Sequence, residues 1–251
     1  MPVTAPASGP ATAMVLAAGL GTRMRPITNT LPKCLVPVDG RTLLDRALDR
    51  VEEAGVRTAV VNLHHHADQV RAHLARRAAP EIVFSDETDG LLETGGGLKK
   101  ALPLLGPQPF YVCNSDVIWL NGPVPAFRRL AAAWDDGRMD ALLLLVRSAS
   151  AHGYDGYGDF FMDIAGVVRR RVEREVAPYI YSGCMICHPR LFADAPNGAF
   201  SMNVLFNRAL AAGRLHGIAH DGEWYHVGTP PAIKETERLL TLGEDSGASD
   251  Q

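Results

Sequence analysis

The sequence predicts an α/β protein built on a mixed, mostly parallel, doubly wound sheet. Three observations carry that expectation. Short apolar runs alternate with stretches of helical spacing along the whole chain. The first of those runs empties into a glycine-spaced turn, where an open α/β sheet places its ligand. The chain has 251 residues, 47% of them apolar, enough to bury one substantial core.

The elements follow in order. Residues 14–18 read as a short buried strand running into Gly19-Leu20-Gly21-Thr22. Residues 42–54 put Leu43, Leu44, Ala47, Leu48 and Val51 on one helical face and stop at Gly55. A β-branched strand is expected over 58–63, a helix over 67–77 and a short strand over 82–85. Residues 94–105 look like a helix entered through three glycines, with Pro103 near its end. Buried strands are expected over 110–113 and 141–146, with a helix over 125–135 between them. Later strands are expected over 160–168 and 180–187, separated by the charged residues 169–175. Residues 201–212 and 231–242 carry helical spacing. The expected organisation is a disordered leader over 1–12, one domain over 13–242 and a flexible tail over 243–251.

Composition excludes several classes. A net charge of −3 with 21% charged residues offers neither a nucleic-acid surface nor a polybasic membrane anchor. No apolar run reaches the roughly 18 to 20 residues that span a bilayer. The N-terminus has neither the basic nor the apolar region of a signal peptide, so a cytoplasmic protein is expected. Nothing in the pattern fixes the oligomeric state. Cys184 and Cys187 form a CxxC without a second pair, and in a strand they would face opposite sides. All four cysteines (34, 113, 184 and 187) are therefore expected to be buried structural thiols.

The turn after the first strand is a phosphate cradle. Gly19 and Gly21 let backbone N–H groups approach an anion, and Arg23, Arg25 and Lys33 follow with positive charge. It is not a Walker A loop, because Thr22-Arg23 follows the last glycine where Lys-Ser or Lys-Thr is needed. The dinucleotide fingerprint fails too, since Met24 stands where its third glycine belongs. A second glycine-rich element, residues 89–97, opens a helix. Each glycine lowers helix propensity by about 1 kcal/mol, so three in a row suggest a ligand lying against this backbone. Asp116 falls just past the strand over 110–113, where a carboxylate suits Mg²⁺ but an Asx turn or helix cap is equally ordinary. His64, His65 and His66 are adjacent, lack the i, i+4 spacing of paired ligands, and read as loop surface.

The string AAGLGTRMRP (residues 17–26) with PKCLVPV (32–38) resembles the signature of nucleotidyltransferases that join a sugar 1-phosphate to a nucleoside triphosphate. That resemblance implies a Rossmann-like, three-layer, GT-A-like fold. It also implies that Ala17, Ala18, Gly19, Gly21, Thr22 and Arg23 hold the triphosphate, while Lys33 reaches phosphate oxygens. Gly90, Glu93, Thr94, Gly95 and Asn114 would contact base and ribose, and Asp116 would bind the metal. Arg23, Lys33 and Asp116 are the catalytic candidates. Further strings, LETGGGLKKALPLLG (92–106), NSDV (114–117), GYGDF (156–160) and YSGCMICHPRLF (181–192), are similar to the N-acetylmuramic acid 1-phosphate uridylyltransferases of bacterial cell-wall recycling. On that resemblance Gly158, Asp159 and Gly183 border the sugar, and UTP and a sugar 1-phosphate are the small-molecule partners.

Two departures stand out. In the family motif Trp-x-Asp-[Val/Ile]-Gly-Thr-Pro the chain has Trp224-Tyr-His226-Val-Gly-Thr-Pro230, with histidine in place of the metal-binding acid. His226 would then ligate a softer ion such as Mn²⁺, contact phosphate, or leave Mg²⁺ to Asp116 and the substrate phosphates; the third is favoured. The Glu-Lys-Pro sequence of other relatives is replaced by residues 172–175, with Arg174 the nearest cation. The function implied is transfer of UMP from UTP to N-acetylmuramic acid 1-phosphate, with release of pyrophosphate. Its rivals are mannose, glucose or heptose 1-phosphate with GTP or dTTP, and a non-catalytic sugar-nucleotide-binding regulator. Retention of Gly21, Arg23, Lys33 and Asp116 together argues against the regulator.

Overall fold

The computed structural model describes residues 9–247. The first strand, β1 (Thr12–Leu16), is followed by a two-stranded ribbon, β2 (Pro37–Val38) with β3 (Arg41–Thr42). Then come α1 (Leu43–Glu53), β4 (Thr58–Leu63), α2 (Ala67–Leu74), β5 (Glu81–Asp86), α3 (Glu93–Leu105), β6 (Phe110–Asn114) and β7 (Val117–Trp119). The second half holds α4 (Ala126–Ala133), β8 (Ala141–Arg147), β9 (Ala151–His152), β10 (Phe160–Met162), β11 (Val168–Arg170) and β12 (Tyr179–Cys187). It ends with α5 (Asn203–Ala211), β13 (Leu215–Ala219), β14 (Trp224–His226) and α6 (Pro230–Gly247).

The main sheet runs β5-β4-β1-β6-β12-β8-β13, and in that run only β12 points against the rest. Its register places Leu16 beside Asn114 and Cys113 beside Cys184. A gap opens on the β6 side of β12. Cys184–Cys187 pair with β6 and Tyr179 pairs with Phe160 of β10, and a bulge between Tyr181 and Met185 bends the strand there. One core layer lies between the sheet and α1, α2 and α4, the other between the sheet and α3 and α5. The expected three-layer α/β sandwich, mixed and mostly parallel, is what the chain forms. A third, smaller core gathers Met24, Val38, Ile118, Tyr225 and Val227 around a second sheet, β7-β14-β9.

Local rules explain the elements. Thr42 caps α1, its Oγ1 accepting the Asp45 N–H at 3.1 Å, and the five apolar residues singled out from the sequence are all buried. Cys184 packs into one core layer and Cys187 into the other, as alternation along a strand requires, and all four cysteines are buried and free.

Several expectations need correction. The single strand over 160–168 is two, because Asp163 Oδ1 accepts the N–H groups of Ala165 and Val167 and Gly166 takes φ 79°, which reverses the chain. The last helix runs five residues past 242, overlapping the tail expected from 243. Of the leader, residues 1–8 lie outside the described residues and Thr12 already belongs to β1; of the tail, 248–251 lie outside them. Strands β2, β3, β7, β9, β13 and β14 had no counterpart in the sequence reading.

Candidate active site

The site forms where β1 and β6 end side by side. Beyond them Ser115 donates to Leu16 O from both its N–H and its Oγ, at 3.2 and 2.7 Å, tying the two strand ends together. Ala17 then turns its N–H to Asn62 Oδ1 at 2.7 Å. Asn62 Nδ2 donates in turn to Glu87 Oε1 at 2.8 Å, and Glu87 Oε2 accepts the Leu92 N–H at 3.3 Å. Asn62 and Glu87 are both buried. This chain of bonds fixes the start of the glycine loop against the segment that leads into α3.

The loop itself turns on Gly21, at φ 60° and ψ 33°. A Cβ there would stand 2.9 Å from both Lys33 Cβ and Thr28 Cγ2, and Thr28 Oγ1 donates to Gly21 O at 2.8 Å. Only glycine lets the loop lie directly on Lys33. One turn of 3₁₀ helix, Thr22–Met24, anchors buried Met24 and leaves Arg23 exposed. Among the described residues Arg23 makes no side-chain hydrogen bond or ion pair. A further such turn, Lys33–Leu35, aims Lys33 across the loop, and its Nζ meets Asp116 Oδ2 at 2.7 Å. The Lys33 side chain is 12% exposed and that of Asp116 31%, so the pair faces the cleft without being sealed from it. Burial opposes ionisation of Asp116, but the Lys33 charge and hydrogen bond, with a lesser pull from His226, hold its carboxyl below the usual range.

His226 reaches the same place from β14. It pairs with Val117 of β7, and the Val227 N–H donates to Asp116 O at 3.1 Å. Burial pushes the His226 imidazole below its usual value; Asp116 opposes this, while Lys33 and Arg23 reinforce it. The ring is therefore neutral at pH 7, with a lone pair to offer. A Cβ on Gly228 would lie 3.0 Å from His226 Nε2 and 3.5 Å from Arg23 Nη1, so Gly228 lets imidazole and guanidinium close together.

These groups line two clefts. One, of about 200 Å³, is bordered by Ala17, Ala18, Gly19, Lys33, Glu93, Thr94, Asn114 and Asp116. The other, of about 560 Å³, is bordered by Arg23, Tyr154, His226, Gly228, Thr229 and Glu235. The donor set fits a divalent ion in part. One carboxylate with one neutral imidazole is a bare minimum, because no group of three or more His, Cys, Asp or Glu side chains assembles among the described residues. Substrate phosphates complete such a set for Mg²⁺, which is usually held by one or two carboxylates plus phosphate.

Other expected residues are placed differently. Gly95, Gly96 and Gly97 are buried, and protein rather than a ligand occupies their faces. The Gly95 and Gly96 N–H groups both donate to Phe200 O, at 2.8 and 3.1 Å. A Cβ would collide with the Phe200 ring at Gly95 and with Gly198 O at Gly96, and would stand 2.7 Å from Glu87 Oε1 at Gly97. The three glycines serve close packing, which corrects the reading that a ligand required them. Gly90 is exposed beyond the cleft, its N–H donating to Glu87 O at 3.0 Å. Gly158 (φ 76°) sits against Ala177 O, and the Asp159 carboxylate accepts the Tyr181 N–H at 2.9 Å. Gly183, at φ 90° in the β12 bulge, would bring a Cβ within 3.0 Å of Asn114 Nδ2. The histidine triplet diverges only in part: His64 Nδ1 reaches Glu87 O at 2.7 Å and His65 Nε2 reaches Thr28 O at 3.2 Å, but the His65 and His66 rings lie together with centroids 3.8 Å apart, against the expectation that adjacent side chains separate. Asn62 and Glu87 were missed. Their only signal was a polar residue inside, and another just after, an apolar strand.

An open α/β sheet with a glycine loop, a free arginine and a lysine–carboxylate pair at its strand ends defines a nucleotidyltransferase. The chain belongs to the MobA-like NTP transferase domain family, whose model matches residues 13–210. It is 50% identical to the N-acetylmuramate alpha-1-phosphate uridylyltransferase of Caulobacter vibrioides, over 92% of this chain and 97% of that protein. A protein of the same name from Neisseria meningitidis serogroup B is 35% identical, over 90% and 97%. In fold it is similar to a putative glucose-1-phosphate thymidylyltransferase from Bacillus anthracis, with a TM-score of 0.77, 17% identity and coverage of 91% and 94%.

Proposed function

We propose that this protein transfers UMP from UTP to N-acetylmuramate α-1-phosphate, giving the UDP-sugar and pyrophosphate. The observation that carries the reading is the Lys33–Asp116 pair in a strand-end cleft, with Arg23 unpaired among the described residues in a second cleft, in a chain half identical to a relative named for that activity. A phosphate oxygen of the sugar 1-phosphate attacks the α-phosphorus of UTP, and pyrophosphate leaves in line. No general base is needed, since the attacking monoester is already an anion near pH 7. The protein's share is positioning and charge neutralisation.

Lys33 would donate to an oxygen of the reacting phosphates, held in place by Asp116 and by the close approach of Gly21. Arg23, without a partner among the described residues, would neutralise the triphosphate from the other cleft. Asn62 and Glu87 would keep Ala17 and the 88–92 segment at a fixed separation for the base. Asp116, with His226 beside it, would hold Mg²⁺, which when bound supplies charge neutralisation across the phosphates.

Pyrophosphate release measured for four nucleoside triphosphates against several sugar 1-phosphates tests the reading. Turnover with UTP and N-acetylmuramate 1-phosphate above all other pairs, abolished by EDTA and restored by Mg²⁺, is expected. Preference for another pair would reassign the substrate. Silence with every pair would make the protein a binding module.

A further inference from the structure

A third groove, of about 230 Å³, leaves the nucleotide cleft through the shared residues Leu16, Thr94 and Asn114 and runs between β12 and α5. Tyr181, Asn203 and Phe206 are among the residues that line it, with the Tyr181 and Phe206 rings edge to face at 5.5 Å. Behind the lining residue Asn203 stands Arg170 of β11. Its Nη2 donates to Asn203 Oδ1 at 2.7 Å and its Nε to Asn207 Oδ1 at 2.7 Å, and its guanidinium lies over the Phe160 ring at 5.0 Å. Arg170 is half-buried, yet among the described residues it forms no ion pair. Its neighbour Arg169 has one, with Glu175 Oε2 at 2.8 Å.

A half-buried guanidinium without an anion is an expensive arrangement. Burial lowers the basicity of Arg170, and only the more distant charge of Asp159 opposes that. Two neutral amide oxygens hold the fork rigid and leave the Nη1 hydrogens and one on Nη2 undonated. Such a fork matches a carboxylate, which could accept two parallel bonds from it.

The substrate of the proposed function carries such a group. N-acetylmuramate differs from N-acetylglucosamine by a lactyl ether at O3 that ends in a carboxylate. We infer that Arg170, fixed by Asn203 and Asn207, receives the lactyl carboxylate at the Asn203 side of this groove and so selects the acidic sugar over its neutral parent. The inference rests on the proposed function. The sugar phosphate would lie at Asp116 and Lys33, the ring beside Asn114, and the lactyl arm toward α5.

The test is pyrophosphate release at saturating UTP with three sugars. They are N-acetylmuramate 1-phosphate, its lactamide (carboxylate replaced by carboxamide) and N-acetylglucosamine 1-phosphate, the last as substrate or competitive inhibitor. Arg170→Gln should lower kcat/KM for N-acetylmuramate 1-phosphate by about 10- to 100-fold, mostly through KM. The constant for N-acetylglucosamine 1-phosphate should stay within about twofold, because a neutral O3 has no use for the guanidinium. The lactamide should cost the wild type a similar factor, an arm that stands even if the variant does not fold. Equal losses on both sugars, or a lactamide used as well as the acid, would overturn the role of Arg170 alone. Failure of the wild type to use N-acetylmuramate 1-phosphate while turning over another sugar 1-phosphate would overturn the proposed function, and this inference with it.

Discussion

Replacing Lys33 by methionine keeps the length of the side chain and removes its charge. Two consequences follow from the 2.7 Å bond to Asp116 and the exposures of 12% and 31%. Breaking a fully buried pair costs about 3–5 kcal/mol and a surface pair is worth about 0–1, so this half-sealed one should cost about 1–3 kcal/mol. That cost depends on pH. The folded carboxyl of Asp116 titrates below its ordinary 3.8, so in the wild type it adds stability above that value and loses it as pH falls through the folded value. Without Lys33, burial dominates and lifts the folded value, so the same carboxylate opposes folding at neutral pH. The stability gap between wild type and Lys33→Met should be widest near pH 7 and should narrow as pH falls below 3.8 toward the folded value of Asp116. Turnover should fall by about 10²–10³ in kcat/KM, the scale for losing one donor to a transition-state oxyanion. Urea unfolding at pH 7 and pH 3, with pyrophosphate release at pH 7, measures both effects. A gap of equal size at both pH values, or kcat/KM within about threefold of wild type, would refute the reasoning.

Gly95→Ala should destabilise by about 1–3 kcal/mol through collision with the Phe200 ring, read as a lower melting temperature. An unchanged melting temperature with a raised KM for UTP would return that glycine to a ligand-facing role. Burial lowers the pKa of His188, His216, His220 and His226 below 6.5, so just below that pH the unfolded chain binds more protons than the folded one. Stability should therefore rise from pH 5.5 to pH 7.5, and a flat or falling urea midpoint would contradict the assignment. His226→Asp should lower the Mg²⁺ concentration needed for half-maximal turnover, because it adds a second oxygen donor beside Asp116. An unaltered metal profile would remove position 226 from the metal site.

Periodicity made the main sheet legible. Strand β4 begins and ends where the sequence placed it, and α1 differs only by the Thr42 cap and one residue at its end, because both signals are local. What stayed hidden depends on distant partners. Strands β7, β9 and β14 have two or three residues each and exist only because Trp224 meets Trp119 and Ala151 across long stretches of chain. The same small sheet delivers His226 to Asp116, so the sequence named both residues without showing what joins them. The glycine triplet misled for a related reason: the segment that packs on it lies about a hundred residues further along the chain, and glycine is equally silent about a ligand and a backbone. The packing of the Gly21 turn against Lys33 was legible because both lie within fifteen residues of chain.

Arg23 gives the most direct test of the central claim. Its side chain is exposed and has no partner among the described residues, so Arg23→Ala cannot act through the fold. The account predicts an unchanged melting temperature and a kcat/KM for pyrophosphate release from UTP and N-acetylmuramate 1-phosphate lower by about 10² or more. Wild-type turnover in that variant would contradict the assignment of the glycine loop as the grip on the reacting triphosphate.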